Sequence, residues 1–214
     1  MPDEPVISPQ QYWMSFSRGI ASQNPLLRLF MGICPSLGTT TSVAGALWMG
    51  LTVTLVLTLS NLLISLLRHL IPARVRIPCL MVIIASCTTI ADYMLRAYRI
   101  DVYQRLGVFI PLIAVSCFLL YRGETLAYRS KPSLAITDGL GYGLGFMGAL
   151  AILGTVREIF GAGTFLDTAV LPPEFPVSAV MLQPPGAFIT LGLLIGFVNL
   201  LSRVSMLVKS RRGT

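Results

Sequence analysis

Four cysteines carry the chemistry this sequence could do: Cys34, Cys79, Cys87 and Cys117. No pair has CxxC spacing and none falls in an obvious extramembrane loop, so a disulfide framework is not expected. A thiol surrounded by apolar side chains behaves as a small hydrophobe, and Cys79 and Cys87 fit that description within an unbroken apolar run. Cys34 and Cys117 have different neighbours. Cys34 lies in GICPSLGTT, before a proline that lacks an N–H and favours a helix start. Cys117 lies in IPLIAVSCFLL, after a second proline. A helix that begins inside a membrane must satisfy its free N–H groups locally. An anionic metal–thiolate centre would accept those hydrogen bonds, and the positive end of a half-helix would stabilise its charge. Two thiolates do not complete a site, because iron–sulfur clusters usually take four cysteines and structural zinc takes four ligands. A partner subunit would supply the rest. The competing arrangement uses this chain's own four cysteines, but Cys79 and Cys87 stand about two turns apart on one helix, too far for adjacent ligands without a bend.

Ionisable residues at membrane depth are functional candidates by default. Asp92 and Glu124 are possible ion-coupling groups. Asp138 is expected to cap the helix that follows it. Arg157 and Glu158 are expected to snorkel at a helix end. The glycines at 139, 141, 143, 145 and 148 suggest close helix packing and not a dinucleotide fingerprint, since GYGLG sits in an apolar helix and no strand precedes it.

The elements that must position these residues follow from composition. Of 214 residues, 54% are hydrophobic and 12% charged, against about 25% charged in soluble domains. Charge this sparse cannot cover a water-facing surface, and the reading is an all-α integral membrane protein forming a single membrane domain over residues 1–214. A membrane helix needs roughly 20 apolar residues. Six segments qualify: 25–46, 47–70, 75–95, 106–126, 135–160 and 180–208. Segments 25–46 and 106–126 are interrupted by proline, glycine and hydroxyl residues, and each opens a group of three. Two groups of three run in opposite directions, so the pattern predicts an inverted 3+3 repeat (about 25–98 and 105–208) with broken helices in the first segment of each.

The net charge is +7, and the bases flank apolar segments. This fits membrane orientation and not nucleic acid. Arg18, Arg28, Arg68, Arg74, Arg76, Arg122, Arg129, Lys131, Arg203, Lys209, Arg211 and Arg212 would share one side, leaving Arg96, Arg99, Arg105 and Arg157 opposite. The connection holding Asp167 and Glu174 belongs with the second set. Both termini are therefore expected in the cytoplasm, with the polar stretch at 1–20 in water and not a signal peptide.

The stretches NPLLRLFMGICPSLGTTT, VRIPCLMVIIASCTTIADYMLRAY, LGVFIPLIAVSCFLLYRGETLA, DGLGYGLGFMGAL, GTVREIFGAGTF and PPGAFITLGLL together resemble the family of the E subunit of the Rnf electron-transport complex. More distantly they are similar to the D subunit of the sodium-pumping NADH:quinone reductase. The resemblance covers nearly the whole chain, and the IPLI and PPGAF forms favour the Rnf branch. It implies a bacterial inner-membrane subunit with six helices in inverted repeats, paired with the homologous A subunit. It implies one cysteine from each repeat, here Cys34 and Cys117, joined by two from the partner around a shared [2Fe-2S] cluster. Other subunits would carry flavins and further iron–sulfur clusters, and electrons would pass between ferredoxin and NAD⁺ with movement of Na⁺ or H⁺. This chain departs from the usual pattern with Ser116 for Asn, Tyr121 for Gly and Gly123-Glu124-Thr125 for Ala-Glu-Ala. No ligand is lost; Pro35 and Ser116, beside the two cysteines, would shape hydrogen bonding at the cluster. The alternative from the residues alone is a small secondary transporter whose cysteines only pack.

Overall fold

A computed structural model describes residues 26, 31–98, 100–165, 168–169 and 179–212. The polar start at 1–20, together with Asp167 and Glu174, lies outside the described residues. The chain is helical: α1 (Ile33–Thr39), α2 (Val43–Leu67), α3 (Arg76–Tyr98), α4 (Ile100–Leu106), α5 (Ile110–Ala114), α6 (Cys117–Arg122), α7 (Pro132–Ala162) and α8 (Pro184–Arg212). A π-helical turn, Gly123–Ala127, continues α6. Past α7, Thr164–Phe165 and Thr168–Ala169 form a two-residue antiparallel pair.

Among the described residues, Val43–Leu67, Arg76–Tyr98, Ile110–Ala127 and Pro132–Ala162 are long and apolar enough to cross a membrane, and Pro184–Leu200 is a shorter apolar stretch. Apolar side chains face outward along these helices, as at Leu51, Leu55, Val82 and Leu193. This is the pattern expected where the solvent is lipid. The expected first crossing, 25–46, is not one helix. Its described part is the seven-residue α1, which stops at Thr39, and a new helix, already under way at Ala46, starts at Val43. Hydroxyls cluster at the stop. Thr39 Oγ1 donates to Pro35 O at 2.8 Å and Thr40 Oγ1 to Ser36 O at 2.7 Å. Ser36 Oγ donates to Ile33 O at 2.6 Å. These side-chain bonds to carbonyls one turn back compete with regular backbone pairing near the helix end. The segment 106–126 breaks at Val115–Ser116, between α5 and α6.

The core is the crossing of α2 and α7. A Cβ added to Gly143 would lie 2.6 Å from Thr54 Cγ2 and 2.8 Å from Thr54 Cα. Only a glycine lets the backbones approach this closely. One turn away on one side Gly50 meets Met147, and one turn away on the other Gly139 meets Thr58. Numbers rise along α2 as they fall along α7, so the helices are antiparallel. The flanking contacts exchange a glycine and a larger residue across the central pair. A local two-fold axis of this antiparallel pair thus passes through Thr54 and Gly143, where an inverted repeat would place its own axis. Gly148, also expected to pack closely, meets nothing among the described residues within 4 Å of an added Cβ.

Candidate functional site

Cys34 and Cys117 occupy matching places: each lies in the first turn of a short helix, α1 starting after Gly32 and α6 after the break at Ser116. Gly32 is the residue before α1, in the left-handed conformation (φ 80°), where a side chain would be strained. Cys34 and Pro35 fill the next turn, and Pro35 sits where its missing N–H is not needed by the helix. Ser116 precedes α6 with extended backbone, and Cys117 is its first residue. Neither start is capped by a side chain: Gly32 has none, and the Ser116 hydroxyl does not bond to α6. By contrast, Ser42 before the long helix α2 accepts the Gly45 N–H at 3.2 Å.

The fold brings the two starts together. A Cβ on Gly32 would lie 3.8 Å from Phe118 Cβ and 3.0 Å from Phe146 Cε2. Phe118 follows Cys117 directly and stacks on Phe146 of α7 with centroids 5.6 Å apart. A buried aromatic pair thus underlies both helix starts, while both cysteines are exposed on the surface of the chain. Among the described residues, no three His, Cys, Asp or Glu side chains converge as a metal site. Two thiols, outward-facing at adjacent uncapped helix starts, fit half of a four-thiolate centre. Cys87 is buried in the core and Cys79 half-buried, both on α3.

The remaining candidates are dispersed. Glu124 belongs to the π-helical turn, and its carboxylate accepts from Arg76 at 2.5 Å. Asp92 lies on α3 with a buried Oδ1 that has no hydrogen-bond partner among the described residues. It stands roughly 24 Å along the same helix from Arg76, so the two acids do not form one site.

Three expectations are corrected. Asp138 does not cap a helix. α7 begins at Pro132, preset for a first helical position, and Asp138 is in its interior, 1% exposed. Its carboxylate accepts from Arg122 Nε at 3.1 Å, with a second bond from Arg122 Nη2. Arg122, counted above among the loop bases, is 7% exposed and stacks over the Tyr142 ring at 3.7 Å. Arg157 and Glu158 do not snorkel either. Arg157 is fully buried and Glu158 is 2% exposed. Arg157 donates to Leu37 O at 2.9 Å, Thr40 Oγ1 at 2.6 Å, Met181 O at 3.1 Å and Leu182 O at 2.9 Å. Glu158 accepts the Val43 N–H at 2.6 Å. The sequence reading missed this pair as an interior feature. Its partners stand far away along the chain, and the one available signal was adjacent opposite charges in an otherwise apolar helix.

The family described as "Rnf-Nqr subunit, membrane protein" matches residues 12–195. The chain is 44% identical over 188 residues to the E subunit of the Na(+)-translocating ferredoxin:NAD(+) oxidoreductase complex of Acetobacterium woodii, covering 88% of this chain and 96% of that protein. It is 41% identical to the E subunit of the ion-translocating oxidoreductase complex of an Escherichia coli strain, covering 83% of each. The corresponding protein of Citrobacter koseri is 40% identical over 92% of this chain and 90% of its own length.

Proposed function

Because the chain belongs to the Rnf-Nqr family of membrane subunits, we propose that it is the E-type subunit of an ion-translocating ferredoxin:NAD⁺ oxidoreductase complex. In this reading Cys34 and Cys117 are two of the four thiolate ligands of a [2Fe-2S] cluster, and the homologous A subunit provides the other two. The observation that carries the reading is the pairing of two exposed thiols at adjacent, uncapped starts of half-helices.

The hydrocarbon layer is about 30 Å thick, long for a single electron transfer. The cluster would supply a one-electron carrier partway across. The chain's own contribution is to hold two sulfurs at fixed places, to turn first-turn N–H groups and helix dipoles toward negative charge, and to back them with a dry aromatic floor. Orientation follows from Arg68, Arg74, Arg129 and Lys131. The Arg68 contact with Ser130 O joins their two connections at one end, and we assign that end to the cytoplasm, with both termini, in a bacterial inner membrane. Of the two acids considered for ion coupling, Glu124 is engaged by Arg76, and Asp92 is the one retained for that role.

The test is iron and sulfide analysis with electron paramagnetic resonance on the purified complex, beside Cys34→Ala and Cys117→Ala. Loss of one [2Fe-2S] signal in each variant is expected. An unchanged iron content and spectrum in both would overturn the reading and leave a colourless transporter-like subunit.

A further inference from the structure

A seven-residue helix is too short to hold its own direction, since isolated helices below about 12 residues are marginal. Yet α1 carries Cys34. Its start is seated on Phe118 and Phe146. Its other end is held by one residue of α7. Arg157 Nη1 bonds to Leu37 O and to Thr40 Oγ1, and the Thr40 hydroxyl passes its own hydrogen to Ser36 O. The same guanidinium reaches the carbonyls of Met181, Leu182 and Gln183 just before α8. The next residue, Glu158, takes the Val43 N–H at the start of α2. The break at Thr40–Ser42 is therefore spanned by a cation on the carbonyl end of one helix and an anion on the amide end of the next. Each charge is matched to the helix dipole it faces. Both are buried, so water does not compete for these bonds.

We propose that Arg157 and Glu158 are positioning residues for Cys34: they fix the direction of α1 and so the place of its thiol, and leave Cys117 unaffected. The consequence for a cluster rests on the reading given under Proposed function; the mechanical claim does not. Arg157→Gln, Arg157→Lys and Glu158→Gln would be prepared in the whole complex. Hydrogen–deuterium exchange would be followed at the amides of 33–39 and 117–122. Loss of charged hydrogen bonds from Arg157→Gln should speed exchange in 33–39 by about tenfold and leave 117–122 unchanged, and Arg157→Lys should recover part of the difference. The cluster's paramagnetic resonance should change shape or potential while the iron content stays near two per site. If Arg157→Gln does not accumulate, Thr40→Val, which removes one acceptor, reads the same contrast. Unchanged exchange in 33–39, or an equal rise in both stretches, would overturn the proposal. If the unsubstituted complex holds no iron, the cluster reading fails, and the contrast between the two stretches still decides this one.

Discussion

Two connections, one after α1 and one after the π-helical turn, are held in different ways. At the first, between α1 and α2, two buried charges do the holding, and both come from the far end of α7. At the second, between the π-helical turn and α7, the far end of α2 reaches over. Ser65 Oγ donates to Ser130 O at 2.7 Å and Arg68 Nη1 to the same carbonyl at 3.0 Å. Arg68 and Arg157 lie the same number of residues past the central pair Thr54–Gly143, so the device is reciprocal. Its surroundings are not. Arg157 is sealed, while Arg68 is half-exposed beside the exposed His69. Where water can reach a break, one carbonyl with two donors suffices. Where it cannot, every freed backbone group needs an internal partner, and charged partners of both signs supply them.

Substitutions can break or sharpen this contrast, each read as the thermal midpoint of the complex in detergent. The largest effect is expected for Arg157→Ala, which strands the carbonyls of Leu37, Met181 and Leu182. A loss above about 3 kcal/mol corresponds to roughly 10 °C. Asp138→Ala comes next. It leaves the Arg122 guanidinium buried beside Tyr142 at a cost of about 3 kcal/mol, and the double change Arg122→Met with Asp138→Leu should regain most of it. Recovery in the double variant would show that the pair is costly chiefly when halved. Gly143→Ala should cost about 1–3 kcal/mol by driving a methyl into Thr54, against almost no loss for Gly148→Ala, where the added methyl meets open space. Smallest is Arg68→Ala, below about 1 kcal/mol. If Arg68→Ala matched Arg157→Ala, the distinction between a wet and a dry break would fall.

What was legible in the sequence was local. Pro35, the three threonines at 39–41 and the Pro111–Cys117 interval act on their own neighbourhoods, so the half-helices and the cysteines at their starts could be read from spacing. Gly139 and Gly143 were legible as a packing face, but not their partners on α2. The charged residues were misread because their meaning depends on distant chain. Asp138 looked like a cap when α7 was started at 135; Pro132 was the better marker of the start. Arg122 and Arg157 looked like ends of segments in water, because nothing nearby in sequence reveals that Asp138, Leu37 or Met181 folds back over them. Long-range pairing of buried charge is written in three dimensions, and composition counts such residues as surface.

The central pair Thr54–Gly143 has a consequence for how the molecule could be taken apart. A contact lying on a symmetry axis is the one place where identical halves would confront themselves. Two threonines there would collide, and two glycines would leave a gap. One polypeptide escapes the dilemma by giving the hydroxyl methyl to one half and its absence to the other. Separately expressed halves should accordingly favour each other over copies of themselves.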